Sequence, residues 1–177
     1  RLCDKIIGYL NTCCYADSIS QKKFLIDNGI GTDNQLIVLG KGSLAGVNST
    51  RFNPMLFLDS DKKQLRSELN IPEKSQIVLF VGRITLEKGV SELLEAFESI
   101  VSKGLDVYLL LVGPFESDGK ECLDKISNVK VNKCIRTVGF TSQPEKYMAI
   151  SDVLCLPSYR EGFGTVVIEA AVMGLPA

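Results

Sequence analysis

The side chains best suited to chemistry are two cations, Arg83 and Lys88, and two carboxylates, Glu161 and Glu169. The cations stand in Val81-Gly82-Arg83-Ile84-Thr85-Leu86-Glu87-Lys88-Gly89, where Gly82 is expected to allow a tight turn and close backbone approach. Two fixed cations suit a diphosphate, whose charge must be neutralised when it leaves. Two solvated side chains would show the same spacing. The carboxylates frame Glu161-Gly162-Phe163-Gly164-Thr165-Val166-Val167-Ile168-Glu169. Gly162 and Gly164 leave backbone N–H groups accessible at a helix start, a ready anion site. Glu169 falls about 6 Å further down that helix. One carboxylate at the mouth and one deeper could grip two hydroxyl-bearing parts of an extended ligand. A solvated Glu161 and a Glu169 that complements a helix N-terminus would look alike in sequence.

Three other patterns imitate chemistry. Paired carboxylates also serve glycosidases, but that reaction leaves Arg83 and Lys88 without a role. Gly40-Lys41-Gly42-Ser43-Leu44-Ala45-Gly46 resembles a phosphate loop, yet Val47-Asn48-Ser49-Thr50 opens no helix and the spacing fits neither nucleotide fingerprint. Asp59-Ser60-Asp61 imitates a metal-binding pair and reads better as the acidic start of a helix.

The elements that must position these residues follow from periodicity. Leu2, Ile6, Ile7 and Leu10 have helical spacing within the first fifteen residues. Ala16 to Ser20 is a short apolar segment ending in an N-cap serine, Ser20, followed by a helix that Asn28-Gly29 closes. With the strand candidate Leu36 to Leu39, this makes one β-α-β unit. Gly, Asn and Pro crowd residues 40–54 as in a linker, dividing a domain tail (1–39) from a second domain (55–177). A helix over about 62–68 opens that domain. Strands are then predicted at 77–81, 107–112, 135–138 and 153–156. Helices are predicted at 90–102, 119–126, 143–150 and 165–173. Strands without alternation, separated by helices, define a doubly wound parallel α/β sheet. Its ligands bind at the carboxyl ends of the strands. Gly174-Leu175-Pro176-Ala177 falls where a further strand should begin, so at least one β-α unit is expected to be missing.

The totals narrow the function. Hydrophobic residues are 45% and charged residues 23% of 177, ordinary globular values that argue against long disordered segments. Twenty basic and 21 acidic residues give a net charge of -1, no footprint for nucleic acid. Ile77–Val81 and Val107–Val112 are far short of the roughly 20 apolar residues of a membrane span. Asp4 and Lys5 interrupt any leader-like core. There is no histidine among the residues, and Cys3, Cys13, Cys14, Cys122, Cys134 and Cys155 form no C-x-x-C, which disfavours zinc. The cysteines are expected to be reduced, mostly small core fillers. Asn48-Ser49-Thr50 matches a glycosylation sequon, but no export signal accompanies it.

The ordered set of motifs from about Ile77 to Ala177 resembles the retaining GT-B glycosyltransferases of glycosyltransferase family four. The matching pieces are Gly82-Arg83 with Lys88-Gly89, Val138-Gly139-Phe140, and Ala149-Ile150-Ser151-Asp152 leading into Pro157-Ser158. Glu161-Gly162-Phe163-Gly164, Glu169-Ala170-Ala171 and Gly174-Leu175-Pro176 complete it. Ala16 to Ser20 and Gly46-Val47-Asn48 to Phe52 look like the end of that family's N-terminal domain and its linker. Arg136-Thr137-Val138 departs, putting a polar pair where the family is apolar.

The resemblance implies a Rossmann-like C-terminal domain, truncated at its C-terminus, behind the tail of an acceptor domain. It implies that Arg83 and Lys88 bind the donor diphosphate, with the N–H groups of Thr165 and Val166. Glu161, with the Gly162 and Phe163 backbone, would hold the donor sugar. Glu169 would bind the ribose, and Val138, Gly139 and Phe140 would border the base. The implied reaction moves a sugar from a nucleoside-diphosphate sugar, a UDP-sugar foremost, to an acceptor hydroxyl with retention. The leaving phosphate oxygen takes the acceptor proton, so neither histidine nor metal is demanded and no cofactor is expected. The acceptor class is a glycan or lipid-linked sugar of cell-surface polysaccharide synthesis. The location is cytoplasmic, with peripheral contact at the inner membrane face. A non-catalytic nucleotide-sugar-binding module and a GT-B epimerase acting on a UDP-sugar are the alternatives.

Overall fold

The computed structural model describes residues 2–116 and 132–177. Two compact units are present, Arg1–Val47 with Glu161–Thr165, and Asn48–Arg160 with Val166–Ala177.

In the first unit, α1 (Leu2–Leu10) is followed by β1 (Cys14–Tyr15), α2 (Ile19–Asp27) and β2 (Leu36–Ile37). The two short strands pair in parallel, Cys14 with Leu36 and Tyr15 with Ile37, so the expected β-α-β unit forms. The N-cap is Ser18, not Ser20, with an extended backbone at φ -154° and a side chain that accepts from Gln21 N–H. Asn28 closes α2 and Gly29 takes φ +65°. Helix α1 presents Leu2, Ile6, Ile7, Tyr9 and Leu10 as exposed side chains.

The second unit is built on a parallel sheet. Helix α3 (Asp59–Glu68) begins earlier than its apolar pattern suggests. Asp59 and Asp61 occupy its first turn, and Asp61 Oδ2 accepts from Leu58 N–H at 3.3 Å. The acidic pair thus opens a helix. Strands β3 (Gln76–Val81), β4 (Val107–Val112), β5 (Ile135–Gly139) and β6 (Val153–Leu154) lie side by side in the order β5-β4-β3-β6, all parallel. Helix α4 (Val90–Ser102) matches its predicted bounds. Helices α5 (Pro144–Met148) and α6 (Thr165–Val172) follow. The helix expected over 119–126, with Cys122, lies outside the described residues.

Alternation decides which strand residues meet which layer. Phe80, Val107, Leu109 and Leu111 join Val90, Leu93, Leu94 and Phe97 of α4 in one buried cluster. Ile77, Leu79 and Leu110 are equally inaccessible, at 0% exposure, but stand outside that cluster. Both faces are therefore covered, as the unbroken apolar runs require in a doubly wound sheet.

Polar side chains fasten the loops between these layers. Arg136 departs from the family pattern for a reason. It donates to the carbonyls of Leu69 and Asn70 at 2.5 and 2.7 Å and lies 5.0 Å from the Tyr108 ring centroid. It satisfies carbonyls left open at the end of α3. Arg66 similarly donates to Ser75 and Ile150 carbonyls at 2.8 and 2.9 Å, while Asp152 Oδ2 accepts from Ile77 N–H at 2.7 Å. Of the described cysteines, all free, Cys3 and Cys13 are exposed and Cys14 is half-buried, while the half-buried Cys134 and Cys155 pack against the core cluster as the small fillers expected. Among the described residues, no helix is long and apolar enough to cross a membrane.

Candidate functional site

Strand β3 has β4 on one side and β6 on the other. Connections diverge there, so a crevice opens outside the carboxyl ends of β3 and β6. Gly82 and Arg83 leave β3 at that point, and Cys155 to Ser158 leave β6. The two exits are held together. After β3 a 3-10 turn, Leu86–Lys88, ends at Gly89 with φ +67°. A Cβ on Gly89 would lie 2.2 Å from the Pro157 carbonyl oxygen. Tyr159 N–H donates to Glu87 O at 3.1 Å, and Tyr159 Oη bonds Glu92 at 2.6 Å. That bond to a carboxylate holds the phenol's pKa above its ordinary value. Glycine at position 89 is thus a packing requirement of the crevice.

The expectation for Gly82 needs correction. Its backbone has no positive φ, and an added Cβ would make ordinary contact with the Phe80 ring at 3.4 Å. The close approach comes from the other partner. Gly113, at φ +148°, would put a Cβ 1.8 Å from Gly82 O. A glycine is demanded, one strand over from the one the sequence points to.

Arg83 is half-exposed and paired with Glu116, Nη1 to Oε2 2.8 Å. Lys88 is half-buried at the end of the 3-10 turn. Thr85, Ser91 and Ser158 each bury a hydroxyl oxygen without a hydrogen-bond partner among the described residues. The sequence motifs include Thr85 and Ser158 but assign neither a role, and Ser91 lies outside them.

At the far edge, a bulge breaks the β4–β5 register between Leu111, opposite Thr137, and Val112, opposite Gly139. The extra residue is Val138. Gly139 takes φ +78°, and Phe140 is left 79% exposed. Bulges re-aim a strand end in this way. Downstream, the Ser142 carbonyl and Glu145 Oε2 both accept from Arg51 Nη2, the latter at 2.7 Å. Arg51 and Glu145 were not singled out by sequence. Ninety-four positions separate them, and no local pattern encodes the pair.

Residues 161–165 pack with the first unit. Gly162 lies beside Asp17 and Gln21, and a Cβ on Gly42 (φ +117°) would meet Asp17 O at 2.4 Å and the Phe163 ring at 2.8 Å. Ser43 N–H donates to Asp17 O at 2.8 Å. The glycine-rich 40–46 segment is therefore shaped by close packing. Gly164 takes φ +75° just before α6, while Glu161 is exposed.

In the second unit, α6 carries Val166 in its first turn, where N–H groups lack intrahelical partners. Glu169, one turn on, is half-buried. Burial raises its pKa; the Arg51 charge opposes that rise and the Glu145 charge adds to it.

A family model described as glycosyl transferases group 1 matches residues 61–177. The chain is 31% identical over 175 residues to the capsular polysaccharide biosynthesis glycosyltransferase CapM of Staphylococcus aureus, covering 99% of this chain and 45% of that protein. It is 30% identical over 131 residues to the putative teichuronic acid biosynthesis glycosyltransferase TuaC of Bacillus subtilis, covering 74% of this chain and 30% of that one. Among solved structures it superimposes on Anabaena HepE in complex with UDP and glucose, with a TM-score of 0.84 at 22% identity, covering 99% of this chain and 46% of that one. The chain thus spans less than half the length of these relatives. The fold is α/β with a parallel sheet, as in glycosyltransferases of the GT-B class.

Proposed function

The chain belongs to the glycosyl transferases group 1 family, and from that premise we propose that it carries the donor-binding half of a retaining transferase of family four. The donor is a nucleoside-diphosphate sugar, a UDP-sugar foremost, and the acceptor a hydroxyl of a glycan or lipid-linked sugar in cell-surface polysaccharide synthesis. Residues 1–39 are the tail of the acceptor domain, 40–54 the linker, and 55–177 the donor domain, working at the cytoplasmic face of the membrane.

One observation carries this reading. The Gly82-Arg83 turn and the Lys88-Gly89 turn leave β3 at the switch point of a parallel sheet, where Gly89 is sterically locked against the β6 exit. Arg83 and Lys88 neutralise the diphosphate as it departs, helped by the N–H groups of Thr165 and Val166. Glu161, with Gly162 and Phe163, orients the donor sugar. Glu169 accepts from the ribose, and Val138, Gly139 and Phe140 border the base. The leaving phosphate oxygen takes the acceptor proton, which gives the two glutamates binding duties in place of acid–base ones. UDP bound to the related Anabaena protein supports the choice of base.

Calorimetry with UDP, GDP and ADP tests the reading. UDP should bind most tightly, and Arg83→Ala or Lys88→Ala should each weaken it about 10- to 100-fold, the loss of a charge-assisted contact. Equal affinity of both variants and the parent for UDP would remove the cations from the site.

A further inference from the structure

We propose that Tyr159 is a positioning residue for the diphosphate end of the donor site: it clasps the β3 turn from the β6 side and so orients the backbone that presents Lys88. The inference rests on the diphosphate role given to Lys88 above. Its basis is a set of contacts within the second unit.

Lysine carries its charge on a flexible stem, so the cation is only as well placed as the backbone beneath it. For Lys88 that backbone is a single 3-10 turn, Leu86–Lys88. Within it Lys88 N–H donates to Thr85 O at 3.2 Å, and Gly89 N–H to Leu86 O at 2.9 Å. Thr85, its N-cap, adds no side-chain bond among the described residues. So short a turn has little stability of its own. Its surroundings must hold it.

The β6 exit does so in two ways. At Gly89 the hold is steric, since a Cβ there would lie 2.2 Å from the Pro157 carbonyl oxygen. Exclusion sets how near the two exits come. It does not set which way the Glu87–Lys88 peptide faces along the seam. Tyr159 does that with directional bonds on both sides of Lys88. Its N–H donates to Glu87 O at 3.1 Å, one residue before the lysine. Its hydroxyl donates to Glu92 Oε1 at 2.6 Å, in the first turn of α4 beyond the lysine. A bond from a hydroxyl to a carboxylate is of the strong, charge-assisted kind. The ring itself is 71% exposed and buries little apolar area, so the side chain's contribution is this bond. Its consequence is geometric: the loop after β6 and the start of α4 close around the turn as one frame.

The test compares UDP with UMP, by calorimetry on the intact protein. The ratio of the two affinities reads the second phosphate alone. Lys88→Ala should cut that ratio about tenfold, the value of a contact between charged groups. Tyr159→Phe keeps the exposed ring and removes only the hydroxyl, so it should fold, and it should cut the ratio about threefold. Glu92→Gln leaves an acceptor oxygen on the same stem and should retain most of the ratio. In the Lys88→Ala background, Tyr159→Phe should change nothing further, because its effect runs through the lysine. A parental ratio in Tyr159→Phe, or a further loss in the double variant, would overturn the proposal. A parental ratio in Lys88→Ala would overturn the diphosphate role itself, and the proposal with it, as would a parent that binds UDP no more tightly than UMP.

Discussion

The turn after β3 and the turn after β5 both leave the carboxyl end of the sheet, yet different physics shapes them. The β3 turn is fixed by exclusion. Gly89 and Gly113 sit at φ +67° and +148°, and a Cβ on either would lie 2.2 or 1.8 Å from a backbone oxygen. The β5 turn is fixed by attraction. Gly139 also has positive φ, but no described residue lies within 4 Å of its would-be Cβ, and Arg51 reaches across to the Ser142 carbonyl instead. A turn locked by sterics holds its shape whatever binds. A turn held by a charged side chain can adjust, which suits the base-bordering part proposed for it.

Alanine at each glycine separates the two cases and should give the largest effects. Gly89→Ala combines left-handed strain with a backbone clash at Pro157, so urea denaturation should register a loss of about 3 kcal/mol or more. Gly139→Ala carries only the strain, roughly 1–2 kcal/mol. Equal losses would mean that the β5 turn is also sterically locked.

The same contrast explains what the sequence discloses. Local physics was legible: the apolar runs of β3 and β4, the stripe of α4 and the closing glycine of α2 all lie where periodicity and turn chemistry put them. The Gly82-Arg83 and Lys88-Gly89 motif marked one exit from β3. The reason for its glycines was legible only in part, because Gly113 lies one strand away from the oxygen it approaches. Pairings over long separations were illegible. Arg136 looked like a misfit in a strand because its partners are carbonyls at the end of α3. Arg51 looked like linker because Glu145 and Ser142 lie about ninety positions downstream. Strand ends were overestimated at 36–39 and 153–156, where apolar residues continue past the last ladder bond.

Arg83 lets the β3 turn be probed by charge instead of shape. Its partner Glu116 competes with any incoming phosphate for the guanidinium. Both side chains are largely exposed, so the pair itself is worth about 0.2–1 kcal/mol. Glu116→Gln should therefore tighten UDP by a few-fold at most, an increase of about twofold to fivefold, and the gain should shrink in high salt as screening removes the competition. Weaker binding in the variant would mean that Glu116 supports the site.

The smallest effect belongs to Glu169, and its sign follows from burial. A carboxyl whose folded pKa is raised above its unfolded value, about 4.3, favours folding most when protonated. That contribution is complete below the unfolded pKa and is lost as pH rises through the raised folded value. At neutral pH the ionised Glu169 therefore burdens the fold slightly, and Glu169→Gln should be the more stable protein there. The group is only half-buried, so screening keeps the difference to about a few tenths of a kcal/mol. Denaturation midpoints near pH 7 and near pH 4 should converge as the carboxyl protonates in the parent. Removing Arg51 should widen the neutral-pH gap, because the charge that restrains the rise is gone while repulsion from Glu145 remains. A gap unmoved by Arg51→Met would show that the guanidinium and Glu169 do not share a field, and the attraction that shapes the β5 turn would then end at Glu145.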